Sequence, residues 1–155
     1  MTVAIGEQQK FRRFYADAPR IGVGIILLLN GKLVLVKRAR EPAKGLWTLP
    51  GGLIELGETA REAAKREARE ELGLNIEIDQ VLDVVDYIEK DEQGRVRIHY
   101  VLIDFLAYAI SGKLRPGSDA LEIKTIDAGD LHRLRMPELT RNFLTKYFDR
   151  IFVWG

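Results

Sequence analysis

The sequence predicts an α+β protein, and two observations carry this prediction. Apolar segments rich in Val, Ile and Leu recur between turn signals, as β-strands do; they cover residues 21–29, 33–37, 47–49, 76–88, 96–110 and 121–126. An alanine-rich segment has helical spacing instead. A second helix is predicted over 137–152, with Pro137 in its first turn, after a helical turn at 130–134.

The alanine-rich helix is predicted to begin at Thr59 and to end before Gly73. Thr59 and Glu62 have the spacing of a capping box, in which each side chain bonds the other residue's backbone N–H. Gly73 lies where a glycine commonly ends a helix. An apolar stripe along this helix predicts that it packs closely on a sheet: Ala60, Ala63, Ala64, Ala68 and Leu72.

A tight hairpin is predicted between the first two strands. The dipeptide Asn30-Gly31 separates two apolar runs, and both residue types tolerate the positive φ that a two-residue hairpin turn requires. A second turn is predicted at residues 91–94, between the two long strands.

Composition limits the classes of protein that this chain can represent. Its 155 residues, 46% of them hydrophobic, suit one domain over 1–155 with a sizeable core. A net charge of +1 gives no support to nucleic-acid binding, and the absence of cysteine excludes disulfides, thiolate zinc sites and a cysteine nucleophile. Residues 1–20 lack a signal-peptide pattern and the longest apolar run, 25–29, is too short for a bilayer, so no membrane association and a cytoplasmic location are expected.

Three carboxylates share one face of the predicted helix. Glu67, Glu70 and Glu71 stand at positions i, i+3 and i+4, where like charges repel one another. A divalent cation with oxygen ligands would neutralise them. Because the alanine stripe adjoins this face, the cluster is predicted to border the packed side of the helix. The sequence therefore predicts a magnesium or manganese site.

A glutamate-rich helix with interspersed basic residues has a plainer interpretation. Such helices are usually solvated faces laced with ion pairs. The spacing of the whole segment and the glycines ahead of it favour the metal site. An EF-hand is not supported, because the carboxylates lie on a helix and the aspartate-rich loop is absent.

The segment from Gly52 to Leu74 resembles the Nudix box, G-x5-E-x7-R-E-U-x-E-E-x-G-U. Every invariant position is met, by Gly52, Glu58, Arg66, Glu67, Glu70, Glu71 and Gly73. Ala68 departs softly, because a larger aliphatic residue is usual there. The lead-in from Trp47 to Gly52 and the strands before it also look like small MutT-like members. The resemblance implies a Nudix fold, which is an α/β/α sandwich around a mixed β-sheet.

The resemblance implies a divalent-metal-dependent hydrolase that cleaves the pyrophosphate of a nucleoside diphosphate derivative. Glu67, Glu70 and Glu71 are implied to hold Mg²⁺, or Mn²⁺ in its place, with the backbone carbonyl of Gly51 as a further ligand. Glu67 and Glu70 are implied to take part in catalysis, and Gly52 to contact the substrate.

Two further residues of the box have implied supporting roles. Arg66, within helical reach of Glu62 and Glu70, is counted with the catalytic group because it orients the carboxylates. Glu58 is implied to cap the cluster or to bind the metal through water.

The general base is left open by the sequence. It is either a glutamate of the box or an acidic residue of a later loop, for which Glu122 is our candidate. Glu89, Asp91 and Glu92 are rivals, and for each of these residues an ordinary surface carboxylate is an equal alternative. His99 and His132 are poorer candidates.

Substrate-binding residues outside the box are sought among basic and aromatic side chains. Arg38 and Arg40 could bind a phosphate or a terminal ribose, or form a solvated basic patch. Phe14 and Tyr15 could stack on a base or pack in the core.

The sequence looks closest to the small ADP-ribose pyrophosphatase-type group, which favours ADP-ribose or a related nucleotide sugar as a small-molecule substrate. The proline typical of ADP-ribose hydrolases after the box and the tyrosine typical of dinucleoside polyphosphate hydrolases are both missing. A sanitising nucleoside triphosphate pyrophosphohydrolase that acts on oxidised nucleotides is the alternative, followed by a non-catalytic nucleotide-binding regulator. A homodimer is expected for many relatives.

Overall fold

The computed structural model describes residues 13–117 and 120–153. The elements in chain order are β1 (Arg20–Leu29), β2 (Lys32–Arg38), β3 (Trp47–Thr48), β4 (Gly51–Leu53), α1 (Ala60–Glu67), a π-helical turn (Ala68–Leu72), β5 (Leu74–Lys90), β6 (Val96–Gly112), β7 (Ala120–Ile126), a 3₁₀ helix (Ala128–Arg133), α2 (Glu138–Lys146) and α3 (Phe148–Phe152). Each predicted strand has a counterpart, whereas β4 was not predicted. No helix in the two described ranges combines the length and the apolar character needed to span a membrane.

The strands form a mixed sheet centred on β1. This strand pairs in parallel with β6 along most of its length, and antiparallel with β4 near its start and β2 near its end. The other pairs are antiparallel, namely β2 with β3 and β7, and β5 with β6. The order within the described residues is β3-β2-β1-β6-β5, with β4 also on β1 and β7 also on β2.

Helices pack on both faces of the sheet, and β1 contributes apolar side chains to the core on each face. Alternate residues of a strand point to opposite faces. Val23 and Ile25 pack with the alanine stripe of α1 and the π turn on one face. Ile26 packs on the other face, in a core that includes Phe143 and Leu144 of α2. The arrangement is an α/β/α sandwich around a mixed sheet, which confirms the predicted fold class.

The Asn30-Gly31 hairpin is confirmed. Both residues have positive φ, 52° at Asn30 and 78° at Gly31. Leu29 pairs directly with Lys32, so only these two residues turn the chain between β1 and β2.

The capping of α1 is confirmed, but its last turn differs from the prediction. Glu62 accepts from the Thr59 backbone N–H at 2.9 Å and Thr59 accepts from the Glu62 backbone N–H at 3.1 Å. Gly73 ends the helix with a φ of 73°. Residues Ala68–Leu72 form a π turn, however, and not α-helix. The loop after β6 hydrogen-bonds to this turn, because the Gly117 N–H donates to the carbonyl oxygen of Glu71 at 3.0 Å.

The prediction of one continuous C-terminal helix over 137–152 was wrong. Helices α2 and α3 are separated at Tyr147, whose φ of −104° and ψ of 14° are not helical. Tyr147 donates its hydroxyl to Asp83 Oδ2 on β5 at 2.5 Å, and its ring packs 4.9 Å from that of Phe143. These tertiary contacts outweigh local helical preference, which is a weak determinant.

Candidate active site

The Gly51-Gly52 step of β4 anchors two of the helix glutamates. The Gly51 N–H donates to Oε2 of buried Glu71 at 2.9 Å. A Cβ on Gly51 would stand 1.9 Å from the carbonyl oxygen of Val23, and one on Gly52 would stand 2.3 Å from Oε1 of Glu67. Glycine at 51 therefore allows β4 to pair closely with β1, and glycine at 52 leaves room for the Glu67 carboxylate against the backbone of β4.

The three glutamates of the box differ in exposure. Glu71 is buried and the Glu67 side chain is 16% exposed, whereas the Glu70 side chain is 61% exposed. The prediction that the cluster borders the packed side of the helix is thus confirmed for Glu67 and Glu71 and wrong for Glu70. A π turn closes on the fifth residue instead of the fourth, so Glu70 is rotated from the face that a regular helix would give it.

Arg66 joins the helix to the loop before it. Its Nε and Nη2 donate to the two carboxylate oxygens of Glu58 at 2.7 and 2.9 Å, a bidentate pair. Its Nη1 donates to Glu67 at 2.8 Å and to Glu70 at 3.1 Å. The predicted proximity to Glu62 does not lead to a bond, because Glu62 is engaged in the capping box.

The guanidinium of Arg66 relieves part of the repulsion among the glutamates. Its hydrogen bond to Glu58 lowers the pKa of that carboxyl below the ordinary value of 4.5, and Glu58 in turn raises the pKa of Arg66. Among residues 13–117 and 120–153, no three acidic or histidine side chains are grouped closely enough to enclose a metal ion. Glu58, Glu67 and Glu70 are organised around Arg66, and one positive charge cannot balance all three.

A pocket lies beside this group, on the sheet face opposite α1. Gly51, Gly52 and Leu53 line one side of it. Much of the remaining lining is apolar and comes from the loop before β4, from β5 and β6, and from α2: Leu49, Val85, Leu102, Leu139 and Phe143. The pocket is therefore suited to an apolar or flat ligand group whose polar end reaches β4.

The most unusual residue of the pocket is Asp104 on β6, which was not predicted. Its side chain lines the pocket, yet the residue is only 6% exposed. Burial raises the pKa of the Asp104 carboxyl to about 7, with a further contribution from the charge of Asp83. The sequence contains a signal for it, since Asp104 is the one acid within the otherwise apolar run 101–106.

The two candidate arginines take different positions. Arg38 lines the pocket, is half-buried, and donates through Nε to the carbonyl of Pro42 at 2.6 Å. Arg40 is exposed and does not line the pocket among the described residues. Arg13, which was not predicted, also lines it.

Glu122 lies apart from the glutamates of the box. It stands opposite Lys37 in the β2–β7 pair, and its carboxylate is 3.7 Å from that ammonium. Its neighbour Ile123 packs in the core beneath α1, so alternation along the strand turns Glu122 to the opposite face. It does not line the pocket among the described residues. Its predicted catalytic role therefore has no support from this geometry.

Two of the three rival acids, Glu89 and Asp91, are engaged in the β5–β6 hairpin. Glu89 accepts from Arg97 at 2.6 Å and from the Tyr87 hydroxyl at 2.9 Å. Asp91 accepts from the backbone N–H groups of Gln93 and Arg95 at 2.9 Å each, and thereby shapes the turn. Through these contacts both residues stabilise the hairpin.

Phe14 and Tyr15 pack on that hairpin and lie in neither core. The guanidinium of Arg97 lies 4.6 Å from the ring centroid of Phe14, and that of Arg95 lies 5.4 Å from the ring of Tyr15. Tyr15 also donates its hydroxyl to Asp91 at 3.0 Å. Core packing was therefore wrong for this pair, and neither ring lines the pocket described above.

Comparison with known proteins supplies independent evidence. A family model described as the NUDIX domain matches residues 18–147. An ADP-ribose pyrophosphatase of Methanocaldococcus jannaschii is 37% identical over 116 residues, which cover 75% of this chain and 66% of that protein. The 8-oxo-dGDP phosphatase NUDT18 of Mus musculus is 32% identical over 115 residues, which cover 74% of this chain and 32% of that protein.

A solved structure resembles the whole arrangement. The crystal structure of a MutT NUDIX hydrolase from Burkholderia pseudomallei superposes with a TM-score of 0.73 at 34% identity, covering 83% of this chain and 98% of that one. The chain spans 66% of the length of the archaeal relative and 32% of the mouse relative. Because the family model covers most of the chain, including the whole of the box and the strands that frame the pocket, this protein belongs to the Nudix family.

Proposed function

We propose that this protein hydrolyses the pyrophosphate bond of a nucleoside diphosphate derivative, with ADP-ribose or a related nucleotide sugar favoured, in a reaction that depends on a divalent metal. One observation carries the proposal: Glu71 accepts from the Gly51 N–H and Glu67 lies against Gly52, and the same stretch of backbone lines an apolar pocket. A nucleotide held in that pocket could therefore present its diphosphate to these carboxylates.

The chemical type of the donor atoms at the site suits a hard divalent cation, and Mg²⁺ is the one we propose, with Mn²⁺ as its substitute. Glu67, Glu70 and Glu71 offer carboxylate oxygens and Gly51 offers its carbonyl, and oxygen is the ligand that such ions prefer. When bound, the ion would neutralise charge on the pyrophosphate and activate the attacking water.

The residues of the chain would position the reactants and accept a proton from the attacking water. Arg66 holds Glu67 and Glu58 in fixed orientations through its bonds of 2.7 to 2.9 Å. Glu70 is our candidate general base, because its exposed side chain can accept a proton and exchange it with solvent. Arg38, at the pocket, would pair with a phosphate or with the terminal ribose.

A panel of substrates with identified products tests the proposal. Purified protein with magnesium should convert ADP-ribose to AMP and ribose 5-phosphate, and an excess of EDTA should stop the reaction. The other members of the panel are nucleotide sugars, dinucleoside polyphosphates, and normal and oxidised nucleoside triphosphates. Release of products from none of them would refute the enzymatic proposal.

One alternative function is favoured by a specific observation. The mouse relative is named as an 8-oxo-dGDP phosphatase, and this supports an enzyme that acts on oxidised nucleotides. In the panel, that function would appear as cleavage of oxidised nucleotides with ADP-ribose left intact. A non-catalytic regulator would bind ADP-ribose without cleaving it.

The substitution Gly52→Ala should lower metal-dependent hydrolysis by about a hundredfold, the cost typical of misplacing a reacting group by about an ångström. The added Cβ would stand 2.3 Å from Oε1 of Glu67, so the carboxylate must move. Steady-state kinetics with ADP-ribose measure the effect. Gly129→Ala is the matched control, because a Cβ there meets nothing within 4 Å. Equal activity of the two variants would contradict the prediction.

The substitution Glu122→Gln should leave hydrolysis within about threefold of wild type, as expected for an exposed side chain. Its carboxylate is paired with Lys37, whereas the glutamates Glu58, Glu67 and Glu70 are paired with Arg66. Glu70→Gln is the comparison and should reduce kcat by about a hundredfold or more if Glu70 is the base. A large loss in Glu122→Gln with full activity in Glu70→Gln would restore Glu122 as the base.

The remaining expectations from the sequence stay predictions. They are a single domain over residues 1–155, a homodimer, the absence of nucleic-acid and membrane partners, and a cytoplasmic location. Size-exclusion chromatography with light scattering would measure the oligomeric state.

A further inference from the structure

We propose that the carboxyl of Asp104 forms a hydrogen-bonding floor that recognises the edge of a nucleobase in the pocket. The edge we assign is an amino group beside a ring nitrogen, as adenine carries. This inference rests on the proposed function, because it takes the ligand of the pocket to be a nucleotide. It makes Asp104 a specificity-determining residue and leaves the hydrolytic step to the box.

The register of the sheet brings Asp104 into the pocket. Tyr100, Leu102 and Asp104 alternate along β6 and so share the face that lines it. Gly24 of β1 stands beside Asp104, and a Cβ there would be 2.0 Å from Oδ1 of the carboxyl. The Asp104 side chain thus leans over bare backbone, and a side chain at Gly24 would displace it.

The carboxyl of Asp104 lacks a hydrogen-bond partner within the described parts of the chain, and its electrostatic neighbour Asp83 repels it. A buried polar group without a partner costs free energy comparable to a lost hydrogen bond or more. An unpaired carboxyl in the lining of a pocket therefore indicates a ligand that satisfies it.

The protonation of Asp104 determines what it can bind. The pKa of its carboxyl is raised to about 7 by burial, whereas a hydrogen bond from Tyr147 lowers the pKa of Asp83. A neutral carboxyl offers an O–H donor beside a carbonyl acceptor. That pair is complementary to an edge with an acceptor beside a donor, such as the ring nitrogen and amino group of adenine.

The surroundings favour a base over a sugar. Leu49, Val85, Leu102 and Phe143 line the same pocket, and they suit the faces of a flat ring. A sugar would instead present hydroxyls to these apolar side chains, at the cost of its hydration.

The position of the floor also suits a nucleotide. Asp104, Gly24 and Gly51 lie in register across three strands. Two strand spacings separate Asp104 from Gly51, roughly 10 Å, and this leaves room for a ribose between a base on the floor and a diphosphate at β4.

Calorimetric binding without metal tests the assignment. The probes are AMP and purine riboside 5′-monophosphate, which lacks the exocyclic amino group, each titrated in EDTA. Wild-type protein should bind AMP about tenfold or more tightly than the analogue, since the analogue leaves a buried acceptor unpaired. Asp104→Leu should abolish that preference, whereas Asp104→Asn should retain it, because the amide also presents a donor beside an acceptor. Asp86→Leu, at an exposed acid of β5, is the control and should keep it.

Three results would overturn the proposal: equal binding of the two probes to wild type, a preference that survives in Asp104→Leu, or no binding of AMP at millimolar concentration. Equal binding is also what ordered water on the floor would give. Hydrolysis of ADP-ribose with magnesium is measured separately. Hydrolysis without base preference would refute the floor alone, and base preference without hydrolysis would refute the proposed function alone.

Discussion

The substitution Glu71→Gln should reduce metal-dependent hydrolysis of ADP-ribose by about a hundredfold to a thousandfold, as the loss of one stabilising group in an active site does. Glu71 is buried, and its Oε2 accepts from the Gly51 N–H at 2.9 Å. An amide oxygen can accept the same bond, so Gly51 and strand β4 should keep their position. What is lost is a negative charge where the proposed metal requires one. Steady-state kinetics at several magnesium concentrations measure the effect.

The matched control for Glu71→Gln is Glu55→Gln. The Glu55 side chain is exposed and its carboxylate is 3.8 Å from Arg66. The substitution therefore removes a charge near the site and leaves the bond between Gly51 and Glu71 in place. It should leave turnover within about threefold. Circular dichroism and thermal unfolding would establish that Glu71→Gln remains folded. Turnover at the wild-type level in folded Glu71→Gln would refute the assignment of Glu71 to the metal.

Local signals in the sequence predicted the elements whose structure is decided locally. Thr59 and Glu62 bond each other within one turn of helix, and Asn30-Gly31 turns the chain without help from distant residues. The two failed predictions of secondary structure concern residues with distant partners. Tyr147 interrupts the C-terminal helix where its hydroxyl meets Asp83, and Glu71 belongs to a π turn whose carbonyl bonds Gly117. Neither partner can be identified from the neighbouring sequence.

The site could be predicted as far as the box extends. The spacing gives the glutamates and the glycines, and Gly52 indeed lies against Glu67. The pairing of Arg66 with Glu58 could not be assigned, because residues eight positions apart meet only when the loop folds back on the helix. The pocket depends on the parallel register of β1 with β6, which places Asp104 beside Gly24. This register depends on the pairing of all the strands in the sheet. The pocket residues that it brings together therefore do not form a local sequence motif.

The substitution Arg66→Ala should destabilise the fold by about 3 kcal/mol or more, the range typical of removing one partner from a buried ion pair. The Arg66 side chain is only 16% exposed, and it donates to Glu58, Glu67 and the carbonyl of Leu53. Its removal leaves the box glutamates with uncompensated repulsion. The stability of Arg66→Lys should lie between those of wild type and Arg66→Ala, because an ammonium keeps the charge but cannot form the bidentate pair with Glu58. Urea unfolding at pH 7 measures the differences.

The pH dependence of this effect distinguishes an ion pair from lost packing. In the folded wild type, the bond from Arg66 lowers the pKa of Glu58 below 4.5. The stabilisation from this pair is therefore complete above pH 4.5 and is lost as the pH falls through the folded-state pKa. The gap in unfolding free energy between wild type and Arg66→Ala should accordingly shrink in acid. Arg69 is exposed and lies in the π turn that follows α1. The difference in unfolding free energy between wild type and Arg69→Ala should be small and should not change with pH. A gap for Arg66→Ala that stays constant down to pH 3 would mean that packing by the guanidinium, and not its charge, holds the helix to the loop.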